Sequence, residues 1–145
     1  MSRVKIEVPK KFIYSTEISL RISDINYGGH LGNDAVLSIF QEARIRFLNQ
    51  FEYSEVNIEG SSIIMVDAAV QYKSQGFYGD VLLVELTVDD IQRIGCDFIY
   101  LAFNKQSVKE VARGKTGITF YDYKNNKLVS VPEPFKKLID ELKAK

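Results

Sequence analysis

The stretch that decides the fold is Ser23–Asp34, which reads SDINYGGHLGND, together with the helical pattern that follows it to Phe51. The first part contains the only histidine of the chain, three glycines and four Asp or Asn residues. Polar side chains and glycine backbone are thus concentrated where a strand is followed by a helix. Because loops held by rigid elements often carry functional groups, we expect a reaction site in this segment.

The residues on either side of this segment have clear periodicities. Tyr14–Ile22 alternates between apolar and polar residues, which predicts a half-buried strand. Asn33 is the predicted N-cap of the next element, with Asp34 in its first turn, where a negative charge is favourable. From Asp34 to Phe51 the apolar residues recur at helical spacing, which predicts a long helix that is covered on most sides. They form one stripe of Val36, Phe40, Ala43 and Phe47, which is widened by Leu37, Ile39, Leu48 and Phe51.

Downstream of the helix the spacing changes to that of strands and turns. We predict four strands and a C-terminal helix, at Ile64–Lys73, Val81–Asp89, Cys96–Phe103, Val111–Tyr123 and Glu133–Lys143. Strands at hairpin spacing pair antiparallel, and one broad apolar helix needs a sheet to cover it. The sequence therefore predicts an α+β fold of one domain over residues 1–145, with an antiparallel sheet of about five strands wrapped around one long central helix.

Cys96–Phe103 differs from the other predicted strands because it is apolar on both faces. Such a strand is either covered on both sides or lies at a subunit contact.

Charge and cysteine content exclude several classes of partner. Nineteen basic and nineteen acidic side chains cancel, so no overall field attracts nucleic acid or an anionic membrane. The lone Cys96 excludes an intramolecular disulfide and suits a reducing compartment. The first residues lack the apolar run of a signal peptide, and no segment has the length of a transmembrane helix. We expect a cytoplasmic protein.

The segment Arg21–Asn33, followed by Phe40–Arg44, resembles the hotdog-fold acyl-CoA thioesterases related to 4-hydroxybenzoyl-CoA thioesterase. Those proteins typically carry a D-x-D-x-x-G-H-V-N-N-like segment and then an E-A-R-like helix. Val70–Lys73, Tyr78–Asp80 and Val111–Gly114 are similar to the second strand, its turn and the start of the last strand of that family.

This resemblance implies a hotdog fold and hydrolysis of an acyl-CoA or acyl-carrier-protein thioester. It also implies a homodimer or homotetramer whose sites lie between subunits. CoA is then part of the substrate, and we expect no separate cofactor and no metal ion.

The chain departs from the family at one important position, because the second Asp of the motif is Asn26 here. A carboxylate can attack a thioester or deprotonate water, whereas an amide can only position and polarise. The candidates for holding or activating the water are Asn26, His30, Asp24, Asp34 and Asp67. Of these side-chain types, imidazole is the best suited to accept a proton near neutral pH.

Each candidate also has a structural interpretation. Asp24 can cap a turn, Asn26 can occupy a left-handed turn position, and Asp34 can simply favour the start of the helix. His30 can be a structural histidine, and Asp67 lies on a polar strand face, where solvent or a subunit contact explains it equally well.

Two further sets of groups would bind the substrate. The thioester carbonyl oxygen would accept hydrogen bonds from backbone N–H groups at the start of the helix, those of Leu31, Gly32 and Asn33. The CoA phosphates need cations, and the candidates are Lys73, Arg93, Arg113 and Lys115, although a solvated polar face explains these side chains as well.

Two other functions compete with hydrolysis. The missing carboxylate allows a non-catalytic acyl-CoA binding module. An enoyl-CoA hydratase is the other alternative, because Asp24, Asn26 and His30 are similar to the D-x-N-x-x-H motif of hotdog hydratases. Here three residues rather than two separate Asn26 from His30, and the extra residue would displace the histidine. We therefore rank hydration below hydrolysis.

Overall fold

The computed structural model describes residues 1–145 and contains a sheet of six strands and two α-helices. The strands are β1 Tyr14–Ser19, β2 Ser62–Tyr72, β3 Val81–Asp89, β4 Gly95–Asn104, β5 Glu110–Asp122 and the short β6 Lys127–Leu128. The helices are α1 Asn33–Asn49 and α2 Glu133–Ala144. The sheet has the order β1-β3-β4-β5-β2, every pair is antiparallel, and β6 pairs with the end of β5. The predicted α+β arrangement is confirmed.

One side of α1 forms the centre of the core. The predicted stripe is buried as expected, with Val36 at 3% exposure and Phe40, Ala43 and Phe47 at 0%. Leu37, expected to widen the stripe, is 41% exposed, because it lies on the side of α1 that faces away from the sheet. The prediction of a helix covered on most sides is therefore wrong.

The end of β1 and the start of α1 differ from the prediction in ways that affect the site. β1 stops at Ser19 because the chain turns into a short 3-10 helix at Ile22–Asp24, and this turn leaves Ile22 72% exposed. Gly32, not Asn33, is the N-cap of α1, and it makes no side-chain cap bond. Asn33 is instead the first helical residue, and this shift matters for the site.

β4 is the central strand of the sheet, between β3 and β5. Its residues Phe98 and Tyr100 are fully buried, and Ile99, which points to the opposite face, is only 7% exposed. The N-terminal segment lies against that opposite face, where Ile6 donates to the side chain of Gln71 and accepts from Arg113. The other side chains of β4 on that face are only half-buried, so the second face is partly covered within the chain.

β2 is an edge strand that pairs only with β5. Its register is interrupted by a bulge between Met65 and Asp67, and Val66 at the bulge is 61% exposed. Tyr72 at the end of the strand is 57% exposed. Two apolar residues of this strand are therefore largely exposed in a single chain, where one edge of the strand has no neighbour.

α2 packs against the sheet near the end of β5. Phe135 and Ile139 of this helix are fully buried, and the Phe135 ring centroid lies 5.6 Å from that of Phe120 and 6.3 Å from that of Tyr53. Neither helix of the protein has the length and apolarity needed to span a bilayer.

Candidate active site

A cleft of about 360 Å³ lies between the start of α1 and the end of β2, at the opposite end of α1 from the aromatic contacts of α2. It is lined by Asn26, His30, Leu31, Asn33, Val36, Tyr72, Lys73, Ser74, Gln75, Val111 and Ala112. The glycine-rich segment, the first turn of α1 and the loop after β2 therefore meet at one place. Two of the predicted catalytic residues, Asn26 and His30, are brought together here.

Backbone hydrogen bonds fold the glycine-rich segment back on itself. The N–H of Asn26 donates to the carbonyl of His30 over 2.9 Å, and the N–H of Gly29 donates to the carbonyl of Asn26 over 3.1 Å. Gly29 has φ of +84°, a left-handed conformation that favours glycine. This tight loop places the side chains of Asn26 and His30 side by side.

Gly28 leaves the space between these two side chains open. A Cβ atom at Gly28 would lie 3.2 Å from both Oδ1 of Asn26 and Nε2 of His30. The N–H of Gly28 also donates to Oδ1 of Asn26 over 2.8 Å, which fixes the amide and leaves its Nδ2 free to donate elsewhere. His30 lines the cleft with a half-buried imidazole, and no side-chain or backbone group of the chain makes a hydrogen bond to it.

The three backbone N–H groups predicted to bind a carbonyl oxygen differ in availability. That of Leu31 donates to the carbonyl of Gly76 over 2.7 Å, and that of Gly32 donates to the carbonyl of Asp24 over 2.9 Å. Both are therefore engaged within the fold. Asn33 is the first residue of α1, so its N–H has no intrahelical acceptor, and no other group of the chain accepts from it. The positive end of the helix dipole adds to the pull of this group on a developing negative charge.

Asp24 and Asp34 lie outside the cleft. The carboxylate of Asp24 is 9% exposed and accepts from the N–H of Arg21 over 2.8 Å, which closes the 3-10 turn. Asp34 is exposed in the first turn of α1, and its Oδ1 lies beside Gly32. Both positions match the structural interpretations of these residues.

Asp67 lies five positions before the end of β2, away from the cleft. Its carboxylate accepts from Lys115 Nζ over 2.8 Å and from the N–H of Gly117 over 3.0 Å. The hydrogen bond from Lys115 is the main reason why the pKa of Asp67 lies below its ordinary value. The same ammonium group lies 3.3 Å from Asp97, so Lys115 is held by two carboxylates. Within one chain the fold does not bring Asp67 to His30.

Only one of the four cations predicted to hold CoA lines the cleft, and it is Lys73. Arg113 makes two hydrogen bonds of 2.8 and 2.7 Å to Glu110 and a third to Ile6. Arg93 lies in the β3–β4 loop near the other end of the sheet, where its carbonyl accepts from Val131. Lys115 is paired as described above.

The sequence interpretation missed Tyr72 and the apolar floor of the cleft. The hydroxyl of Tyr72 donates to the carbonyl of Asn33 over 3.2 Å, and this bond joins the end of β2 to the start of α1. The floor consists of Val36, Val111 and Ala112. The sequence does indicate the floor, since Val111–Gly114 is similar to the start of the last strand of the family, but its position opposite α1 follows only from strand pairing.

The lining of the cleft contains no carboxylate. The groups suited to acyl chemistry are an imidazole, a fixed amide, an unpaired N–H at a helix start and one ammonium group, above an apolar floor. This set can bind a carbonyl oxygen, hold an acyl group and accept a proton from water at His30.

Known proteins share this architecture. A family model described as the thioesterase-like superfamily matches residues 20–139. A protein of Aquifex aeolicus named "Putative esterase" is 30% identical over 124 residues, which cover 84% of this chain and 92% of that protein. Among solved structures, a 1,4-dihydroxy-2-naphthoyl-CoA thioesterase from Synechocystis superposes with a TM-score of 0.81 at 22% identity, covering 90% of this chain and 97% of that one. A DHNA-CoA thioesterase from Staphylococcus aureus gives a TM-score of 0.75 at 21% identity, covering 90% and 87% of the two chains.

The sheet wrapped around α1 is thus a hotdog fold, as the resemblance implied. The chain belongs to the thioesterase-like superfamily.

Proposed function

We propose that the protein hydrolyses an acyl-CoA or acyl-carrier-protein thioester to the free acid and the thiol. The observation that carries the proposal is the meeting of Asn26, His30 and the unpaired N–H of Asn33 in one cleft above an apolar floor. The family and the CoA thioesterase structures that share the fold support the same class of reaction.

The carbonyl oxygen of the thioester accepts a hydrogen bond from the N–H of Asn33. As water attacks the carbonyl carbon, negative charge develops on this oxygen, and the helix start stabilises it. His30 takes the proton of the attacking water, and the free Nδ2 of Asn26 helps to position that water or the carbonyl group. The new C–O bond then persists while the C–S bond breaks, and the thiolate leaves and receives the proton from His30.

Two solved structures of the same fold support an acyl-CoA thioester as the class of substrate. The structures from Synechocystis and Staphylococcus aureus are named as thioesterases of 1,4-dihydroxy-2-naphthoyl-CoA and DHNA-CoA. In this chain Lys73 at the cleft provides one positive charge for a phosphate of CoA. Further cations would have to come from a second subunit.

The proposed active form is an oligomer that pairs through β2. This strand has 11 residues and one unpaired edge, and Met65 and Val66 on it are 42% and 61% exposed. A long apolar edge strand tends to pair with another chain. Because Tyr72 and Lys73 end this strand and also line the cleft, a partner on β2 would border the site. Light scattering tests this arrangement, and an active monomer would refute the shared site.

The decisive experiment removes a single backbone N–H. Asn33 is the first residue of α1 and Gly32 before it has φ of −72° and ψ of 145°, so proline fits at position 33 without disturbing the helix. We expect Asn33→Pro to lower kcat about 10²-fold, the usual loss for one oxyanion donor. Asn33→Ala keeps the N–H and is the matched control, so it should retain most of the activity. Equal rates for the two variants would refute the role of this group.

The alternative function is a non-catalytic acyl-CoA binding module, and the absence of any carboxylate from the cleft lining favours it. Release of free thiol from a panel of acyl-CoA and acyl-carrier-protein thioesters separates the two functions. Tight binding measured by calorimetry, with no release of thiol, would establish the binding module and refute hydrolysis.

A further inference from the structure

The apolar floor of the cleft is closed off beneath α1. Val36 on the helix and Ala112 on β5 line the cleft and are 3% and 1% exposed. One helical turn after Val36 comes Phe40, and two strand positions after Ala112 comes Gly114. Both side-chain positions face the same seam between helix and sheet, so an acyl chain that extends across the floor meets Phe40 next.

Phe40 fills this second layer completely. Its side chain is fully buried, and the space over Gly114 is occupied by its ring, since a Cβ atom on Gly114 would clash with Cε2 of Phe40. Tyr100 is the cross-strand partner of Gly114, and its ring stacks on that of Phe40, with centroids 4.6 Å apart and planes 8° from parallel. A fully buried ring that is stacked in this way has no free space into which it can turn.

A buried polar network holds Tyr100 behind Phe40. The hydroxyl of Tyr100 accepts from Arg44 Nη1 over 2.8 Å and lies 2.8 Å from Oγ1 of Thr116. Arg44, whose side chain is 4% exposed, also donates from Nε to Glu55 over 2.6 Å. Moving Tyr100 aside would leave a buried guanidinium group short of a partner, which is costly. The wall behind the cleft is therefore rigid.

We propose that Phe40 sets the depth of the acyl site and restricts the enzyme to short acyl groups. This inference rests on the proposed function and adds the substrate class to it. Phe40 does not touch the thioester carbonyl group. Its ring occupies the volume that the far end of a longer acyl chain would need.

The test is a ladder of butanoyl-, hexanoyl-, octanoyl- and dodecanoyl-CoA, with kcat/KM measured by thiol release. The wild-type protein should prefer the short substrates. Phe40→Ala should raise the ratio of dodecanoyl to butanoyl activity at least about tenfold, because each methylene admitted to an apolar pocket contributes severalfold or more. Phe40→Leu should shift the ratio in the same direction by less, and it decides the matter if circular dichroism shows that Phe40→Ala does not fold.

Phe98→Ala is the matched control. Phe98 is equally buried and also lies close to Tyr100, with ring centroids 6.5 Å apart, but it is on β4 and does not adjoin the cleft floor. Its loss should lower stability and leave the length ratio unchanged. Three results would overturn the proposal: an equal kcat/KM of the wild-type protein for dodecanoyl-CoA and hexanoyl-CoA, no change of the ratio in either Phe40 variant, or an equal change of the ratio in Phe98→Ala.

Failure of the inference is distinguishable from failure of the proposed function. If the wild-type protein cleaves none of the thioesters, hydrolysis is refuted, and the same ladder is then measured as Kd by calorimetry. Tighter binding of dodecanoyl-CoA by the Phe40 variants than by the wild-type protein would still support the depth limit, and equal affinity would overturn it.

Discussion

The two ends of α1 are built in opposite ways. At its start, Asn33 and Asp34 are exposed, the preceding loop is rich in glycine, and polar groups face a cleft. Near its end, the fully buried Phe47 has its ring centroid 5.6 Å from that of Tyr14 and 6.4 Å from that of Phe98. One helix therefore supplies unpaired polar groups at one end and close packing at the other. The contrast indicates that stability comes mainly from the closed end, whereas the proposed chemistry lies where packing is light.

The largest expected effect is on the closed end. Phe47→Ala removes a fully buried ring from the aromatic cluster and should lower the free energy of unfolding by about 4 kcal/mol. Urea denaturation followed by circular dichroism measures the change. Leu37→Ala in the same helix, at a side chain that is 41% exposed, is the control and should cost about 1 kcal/mol or less. If both substitutions cost the same, the closed end is not the source of stability.

The next effect concerns the open end. His30→Ala should reduce kcat about 10²-fold or more, because it removes the proposed proton acceptor, while the midpoint of unfolding stays close to that of the wild-type protein. Asn26→Ala should lower activity less, since an amide positions without taking the proton. Tyr27→Ala, at a fully exposed ring in the same loop, serves as the control. Thiol release that is unaffected by both His30→Ala and Asn26→Ala would show that the chemistry lies elsewhere.

The smallest effect concerns the ion pair of Glu110 and Arg113, near the open end of α1, and the dependence of stability on pH that it causes. The hydrogen bonds from Arg113 hold the pKa of Glu110 below its ordinary value, and Arg113 also binds the N-terminal segment through Ile6. A carboxyl group whose pKa is lowered by folding stabilises the fold above its unfolded-state pKa, and this contribution disappears as the pH falls through the lowered pKa. Glu110→Gln should therefore remove about 0.5 kcal/mol at neutral pH and almost nothing in strong acid.

Urea midpoints measured across a pH series test this sign. The wild-type protein and the variant should converge in acid, and a constant difference at all pH values would contradict the ionic origin of this stabilisation. Glu52→Gln, at an exposed carboxylate in the turn after α1, removes the same charge and is the control.

Much of the architecture was predictable because it depends on local periodicity. The buried stripe of Val36, Phe40 and Phe47 follows from helical spacing, and the pair formed by Glu42 and Arg46, at 2.8 Å, follows from their separation of four residues. The loop with Asn26 and His30 was also found, because glycine and polar residues were concentrated there.

The errors arose where pairing between distant segments decided the outcome. Val66 is an apolar residue within a predicted strand, yet it is exposed at a bulge in an edge strand. Leu31 and Gly32 seemed equivalent to Asn33 along the chain, but the carbonyl groups of Gly76 and Asp24 already accept their N–H groups. No local pattern indicates which carbonyl group a loop will meet.

The sequence by itself determined the order and type of the elements, the family motif and the two polar side chains of the site. These properties depend on residue identity and on spacing over a few positions. Only the tertiary structure decided that Asn33 alone of the three predicted donors keeps a free N–H, that Lys73 alone of the predicted cations lines the cleft, and that Phe40 packs over Gly114. The reason is physical: each of these facts depends on contacts between segments far apart in the chain, which exist only once strand order and register are established.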